Sequence, residues 1–300
     1  MGIVGNALAV VAALIVGAWL TVLLERRLYG PVHERGTAAA VRVSRGVQLS
    51  SPDRWLYPTG PITALFGVAL ATAVIPFGPN LIGSDLGIGV FYFIVVVDFV
   101  VLGIALTGWG ANTADAIDAC YRIVAQLVAY VVPLGLAYVG AIMMARSLST
   151  VEIVKAQSGL WFVILQPIGF ILYVVTGLMQ SYRAPFAEPF SSKIGYGIIG
   201  TSGGWMAMVW RIALSGVLFV VAAMGAILYL GGWLGPLLPG PVWFLLKTYG
   251  LMGLMVWLGT RVQPMSTAKM LALAWRLLIP VGMVNVLVIG VEILLGVGPR

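Results

Sequence analysis

The 300 residues are 61% hydrophobic and only 9% charged, with a mean hydropathy of +1.04. This leaves too little polar surface to coat a water-soluble globule of this size. The net charge of +7 does not mark a nucleic-acid surface, because the basic residues fall at the ends of apolar runs instead of forming one stripe. Cys120 is the only cysteine and His33 the only histidine, which excludes an intramolecular disulfide and a metal-ligand cluster; any redox cofactor belongs to a partner or arrives as substrate.

A hydrocarbon core about 30 Å thick is crossed by about 20 apolar residues in a helix, whose backbone polar groups are all satisfied within the segment. Runs that meet or approach that length lie at Ile3–Leu24, Ile62–Phe77, Ile88–Leu106, Ile123–Ala145, Gly159–Met179, Ile212–Leu230, Val242–Leu258 and Leu277–Leu295. The expected fold is all-α: a polytopic integral membrane bundle of about eight transmembrane helices, forming one membrane domain over residues 1–300. The first run lacks a basic leader and is followed by Glu25-Arg26-Arg27, so it reads as a retained helix and not as a cleaved signal. The second and seventh runs are short and need tilt or a locally thinner bilayer. Pro133 and Pro167 fall inside the fourth and fifth runs and are expected to bend them.

Basic residues set the expected orientation. The loop after the first run carries Arg26, Arg27, Arg35, Arg42, Arg45 and Arg54; Arg122 lies in the third loop; Arg183, Lys193 and Arg211 in the fifth; Arg261, Lys269 and Arg276 in the seventh. These loops are expected in the cytoplasm, with both termini on the other side. Residues 25–60 form the longest polar stretch, and Thr37–Leu49 mixes valines with Arg42 and Arg45 as a basic amphipathic segment at the headgroups does. Residues 181–211 form a second cytoplasmic loop. No internal repeat, hydrolase elbow, nucleotide loop, zinc pattern or haem-attachment motif is present.

Ionisable residues at bilayer depth are costly, so each is weighed as functional. Asp98 lies mid-run in Val95-Val96-Val97-Asp98-Phe99-Val100-Val101 and suits a group that takes up and releases protons; the alternative is a protonated carboxyl bonded to a neighbouring helix. Asp115 and Asp118, three apart, share a helix face near the cytoplasmic surface, where Asn112 is expected to cap the helix and both acids to complement its dipole. Lys247 and Glu292 are expected to reach for the interface. Arg183-Ala184-Pro185-Phe186-Ala187-Glu188-Pro189 reads as a rigid loop, either lining a mouth in the membrane surface or making an ordinary turn.

The order of small motifs is more specific than any one of them. Glu25-Arg26-Arg27, Gly30 and Arg35 are followed by Asp53, Leu56, Tyr57 and Pro61, then by Asp85, Gly87 and Tyr92. Next come Gly108-Trp109-Gly110, Asn112, Arg122, Ala125-Gln126, Tyr130 and Pro133-Leu134-Gly135. Gln157, Pro167, Arg183, Pro185, Phe186 and Pro189 precede Leu230-Gly231-Gly232-Trp233, Trp243-Phe244, Lys247, Trp275, Pro280 and Asn285. This succession resembles, almost end to end, the heel subunit of the membrane arm of bacterial complex I, the NADH:quinone oxidoreductase.

The resemblance implies a multi-pass subunit of the prokaryotic cytoplasmic membrane that forms part of a quinone chamber and joins the hydrophilic arm to the membrane arm. Its implied partners are other subunits of both arms, quinone as substrate and the lipid bilayer, with no nucleic acid. The chain itself binds no cofactor and performs no catalysis alone; iron-sulfur clusters belong to partner subunits, since one cysteine cannot ligate a cluster. The implied chamber residues are Arg35, Trp109, Arg122, Gln126, Tyr130, Arg183, Pro185, Phe186 and Glu188, and the proton-relay residues are Asp98, Asp115 and Asp118.

Departures from the family pattern remove charge. Ala187 replaces an aspartate; Phe190, Ser191 and Ser192 stand where acids belong; the Ser-Tyr-Glu of the fourth span reads Ala129-Tyr130-Val131; Arg211 stands near a usual glutamate; and the first loop is short. The expectation is therefore a quinone chamber with weakened proton coupling. The alternatives are a non-catalytic scaffold or structural paralogue in such a complex, the equivalent subunit of a membrane-bound hydrogenase, and a stand-alone transporter.

Overall fold

A computed structural model describes residues 16, 17, 19–23, 27, 51–79, 81–187 and 202–296. Arg35, Glu188, the segment Thr37–Leu49 and most of the first apolar run lie outside the described residues.

The second apolar run folds as α1 (Leu56–Thr72). It begins earlier than expected because Asp53 Oδ1 accepts from the amides of Trp55 and Leu56, both at 2.8 Å, closing the first turn. It also ends earlier: Pro76 and Phe77, which read as its continuation, belong to a small antiparallel hairpin of β1 (Pro76–Gly78) and β2 (Leu81–Ile82). Otherwise the described residues outside loops are helical. The third run forms α2 (Gly89–Val97) and α3 (Phe99–Gly110), which meet at Asp98.

Small residues let α1 and α3 pack backbone to backbone. A Cβ on Gly60 would stand 2.4 Å from the Gly103 carbonyl oxygen, and one on Gly103 would stand 2.4 Å from that of Gly60. Such contact is a usual way for helices to associate where burial of apolar surface gives no drive between them.

The fourth run is longer than its apolar core: α4 spans Ala114–Ala145, so Asp115, Asp118 and Arg122 lie on its first turns. Thr113, not Asn112, caps it, accepting from the Ala116 amide at 3.4 Å. Asn112 is left-handed (φ 51°), unlike the extended Thr113 that the cap geometry uses. Pro133 lies inside this continuous helix. After α5 (Thr150–Ala156), the fifth run divides into α6 (Phe162–Leu165) and α7 (Pro167–Gln180). Gln166 is non-helical (φ −133°, ψ 66°), so Pro167 starts a helix, where its missing N–H costs nothing, and does not bend one.

The sixth run is α8 (Gly204–Tyr229), buried at every position from Ala213 to Tyr229; it is the central post, packed by α1, α7 and α9 (Gly240–Arg261). Its start at Gly204 shortens the loop expected over residues 181–211 and places Arg211 on a helix. The eighth run combines α10 (Thr267–Leu273), a π turn (Ala274–Leu278) and α11 (Ile279–Leu294). Among the described residues, five helical stretches are long and apolar enough to cross a membrane: Gly89–Gly110, Ala114–Ala145, Gly204–Tyr229, Gly240–Arg261 and Thr267–Leu294. The shorter apolar helices α1 and α7 complete the places of seven expected spans. The architecture is the expected helical membrane bundle.

Lys247 reaches the turn that follows α8. It is buried within the bundle, with Nζ donating to the carbonyls of Leu230 (2.5 Å), Gly232 (3.1 Å) and Leu234 (2.5 Å) and standing 4.2 Å from the centre of the Trp161 ring. The carbonyls left over where α8 ends need donors, and the ammonium supplies them.

Candidate functional site

Asp98 occupies the joint between α2 and α3, half-buried, at the centre of a stripe whose other members, Phe91, Val95 and Leu102, face out of the bundle. Its Oδ1 accepts a hydrogen bond from the Tyr130 hydroxyl at 3.4 Å. Tyr130, on the inward face of α4, is also in hydrogen-bonding contact with Tyr182, and both phenols are buried. A carboxylate from one span is thereby connected through a second span to the loop after α7.

Tyr182 ends α7 in a left-handed conformation (φ 54°), with its amide on the Met179 carbonyl at 3.2 Å. That turn directs the next residues back into the bundle. The Phe186 amide closes a turn on the Arg183 carbonyl at 2.8 Å, and the Pro185 carbonyl accepts from the Met265 amide at 2.9 Å. Arg183 is completely buried, with Nη2 donating to the Leu214 carbonyl of α8 at 3.3 Å. Phe186 is buried beside it in the same core. Gln126, one turn before Tyr130, donates from Nε2 to the Met179 carbonyl at 2.7 Å and ties α4 to the end of α7. Burial, partly offset by the bond with Tyr130, holds the Tyr182 phenol above its ordinary range.

Of the candidate residues named from sequence, Asp98, Gln126, Tyr130, Arg183, Pro185 and Phe186 belong to the assembly formed by α2, α3, α4 and the loop after α7. Four others lie elsewhere. Asp115 is exposed on the first turn of α4, and Asp118 and Arg122 form an exposed ion pair at 2.8 Å on the same helix. Trp109 is 54% exposed at the end of α3. Sequence reasoning misses Tyr182: a tyrosine after an apolar run carries no local signal, and its place depends on a contact with Tyr130, far away in the chain.

Chemically, the assembly joins a carboxylate to two phenols in series. A proton reaching Tyr182 can displace one from Tyr182 to Tyr130 and one from Tyr130 to Asp98 in a single shift, leaving no tyrosinate behind. One proton enters at the loop and one resides on the carboxylate.

These features define a multi-pass helical membrane protein with a polar centre beneath one loop. Over residues 5–290 the sequence matches the family described as NADH dehydrogenase. An H-type subunit of the NADH-quinone oxidoreductase of Rhodopseudomonas palustris (strain HaA2) is 31% identical over 304 residues, covering 96% of this chain and 95% of the relative. The H-type subunits from Rhizobium meliloti (strain 1021), 31% identical over 296 residues (89% and 90%), and from Syntrophotalea carbinolica, 33% identical over 246 residues (79% and 74%), are similar as well. The chain belongs to the NADH dehydrogenase family, and the resemblance to the heel subunit of complex I drawn from its motifs is borne out.

Proposed function

We propose that this chain is the heel subunit of a complex I-like NADH:quinone oxidoreductase in a prokaryotic cytoplasmic membrane, and that α4, α7 and the loop Arg183–Phe186 form part of the wall of its quinone chamber. Electrons come from iron-sulfur centres in partner subunits, and this chain supplies shape, orientation and protons. The buried guanidinium of Arg183 holds the loop to α8, and Phe186 presents an apolar wall for a quinone tail. Arg35, Trp109, Arg122 and Glu188 are assigned to the same chamber on the sequence resemblance alone. Asp98 accepts the proton carried through Tyr182 and Tyr130, while Asp115 and Asp118 place negative charge at the cytoplasmic end of α4.

The observation that carries this reading is the series from the loop through Tyr182 and Tyr130 to Asp98, which gives a chamber at the loop a route to a carboxylate at bilayer depth. A scaffold role is favoured by a different observation: Arg183 is already engaged with the Leu214 carbonyl.

The purified assembly distinguishes the two. In the chamber reading, Asp98→Asn leaves assembly intact and lowers proton uptake per quinone reduced, and Phe186→Ala raises the KM for quinone roughly tenfold, about 1.4 kcal/mol of lost binding. Normal quinone kinetics and proton uptake in both variants would establish the scaffold.

A further inference from the structure

We propose that the bundle binds ordered water at the break in the fifth span, between Gln166, Asn285 and Tyr229. Gln166, the non-helical residue between α6 and α7, is buried; its Nε2 donates to the Gly140 carbonyl at 3.4 Å, while Oε1 accepts from no protein group. Asn285 on α11 is equally buried, and its Nδ2 donates to no protein group. Tyr229, the last residue of α8, donates its hydroxyl to the Ala137 carbonyl at 2.9 Å, which leaves its oxygen able to accept.

These three atoms converge. A Cβ placed on Gly169 would stand 3.0 Å from Asn285 Nδ2, 3.1 Å from the Tyr229 oxygen and 3.3 Å from Gln166 Oε1. A Cβ on Gly140 would stand 2.7 Å from Gln166 Oε1 and 3.2 Å from Asn285 Nδ2. A donor, an acceptor and a hydroxyl oxygen therefore converge beside two residues without side chains, with the Ile289 methyl 2.8 Å from the Cβ position of Gly140 closing one side. Water matches that set: it accepts from Asn285 and donates to Gln166 and Tyr229, about three bonds, as buried waters typically make. An apolar occupant would leave both amides unmet.

The site is separate from the Asp98 assembly. Gly140 lies ten residues beyond Tyr130, which is about 15 Å along α4. Between them stand Tyr138 and Tyr173, whose rings meet edge to face at 5.7 Å, and Tyr173 lies 5.7 Å from Tyr229. Bound water thus hydrates the far end of a row of buried tyrosines.

Brief X-ray radiolysis of the assembled complex in 18O-water tests this, because radicals form on waters held beside buried side chains. Tyr229 is expected to incorporate 18O, whereas Met224, equally buried on the same helix and intrinsically more reactive, is not. In Gly169→Ala the added methyl crowds the three polar atoms and displaces the water, and Tyr229 incorporation falls to the level of Met224; Asn285→Leu, which removes the donor, gives the same result. The proposal is overturned if Tyr229 in the parent complex is no more labelled than Met224, or if both variants label it as the parent does.

Discussion

Replacing Lys247 by methionine tests whether a buried ammonium completes the end of the central helix. The Lys247 ammonium makes three contacts with the carbonyls of Leu230, Gly232 and Leu234 at 2.5, 3.1 and 2.5 Å, and a fourth with the face of Trp161. Hydrogen bonds to a charged group contribute about 1.5–3 kcal/mol each before offsets. Two offsets apply: the ammonium is desolvated in the parent, and in the variant water reaches part of the Gly/Pro turn, where Leu237 is fully exposed. A second clasp also survives, since Gln157 donates to the Ile227 carbonyl at 2.8 Å and accepts from the Gly231 amide at 2.9 Å. The net expectation is a loss of about 2–4 kcal/mol, because methionine preserves the stem and removes only the donors. Cys120, the only cysteine and buried on α4, provides the assay. In the chain reconstituted in nanodiscs, its modification by a thiol-reactive dye during heating reports opening of the bundle. If the variant and parent become reactive at the same temperature, the ammonium does not secure the end of α8.

Gly103→Ala places a methyl 2.4 Å from the Gly60 carbonyl, backbone that cannot swing aside, and is expected to cost about 1–3 kcal/mol in the same assay. Gly250→Ala on α9, where nothing lies within 4 Å of the new carbon, should melt with or slightly above the parent. At the start of α1, two backbone amides hold the exposed Asp53 carboxyl below its ordinary range. A depressed folded value means the cap's contribution is complete above the unfolded carboxylate value of about 3.9 and is lost as pH falls through the folded one. Hydrogen exchange at the first turn of α1 should accelerate across that acid window in the parent, and Asp53→Asn should flatten the dependence.

The spans are legible in sequence because a membrane helix needs a long apolar run, and residue order alone supplies that count. Their ends are less legible, because a helix need not stop where its apolarity does. Asp115, Asp118 and Arg122 lie on the opening turns of α4 because a polar face there is solvated at no cost to the helix. Conversely, Pro76 and Phe77 are apolar but pair in a hairpin, since apolarity does not specify helix over short strand. Asp98 stands out as a lone charge among valines. Tyr182, Gln166 and Lys247 acquire their roles only through partners on distant segments, so nothing adjacent to them in sequence marks those roles. Lys247 is the clearest case: its side chain runs to the end of its own span, and the carbonyls it meets there come from the turn after α8.

The same geometry separates what the retained motifs do from what the missing acids would have done. Gly110, in the Gly-Trp-Gly segment, packs where a Cβ would meet the Tyr57 backbone nitrogen at 2.4 Å. Gly231 and Gly232 take left-handed conformations (φ 69° and 47°) in the turn whose carbonyls bind Lys247, and Pro167 opens α7. Each of these residues is accounted for by packing or backbone conformation alone. Val131, where the family pattern has a glutamate, lies 38% exposed on α4, whereas Tyr130 beside it turns inward to Asp98. A carboxylate at 131 would face away from the Tyr130–Tyr182 pair, so Asp98 is not a positional substitute for it. The retained motif residues named here serve the fold, and in the proposed reading the half-buried Asp98 is reached through two phenols instead of along a row of acids.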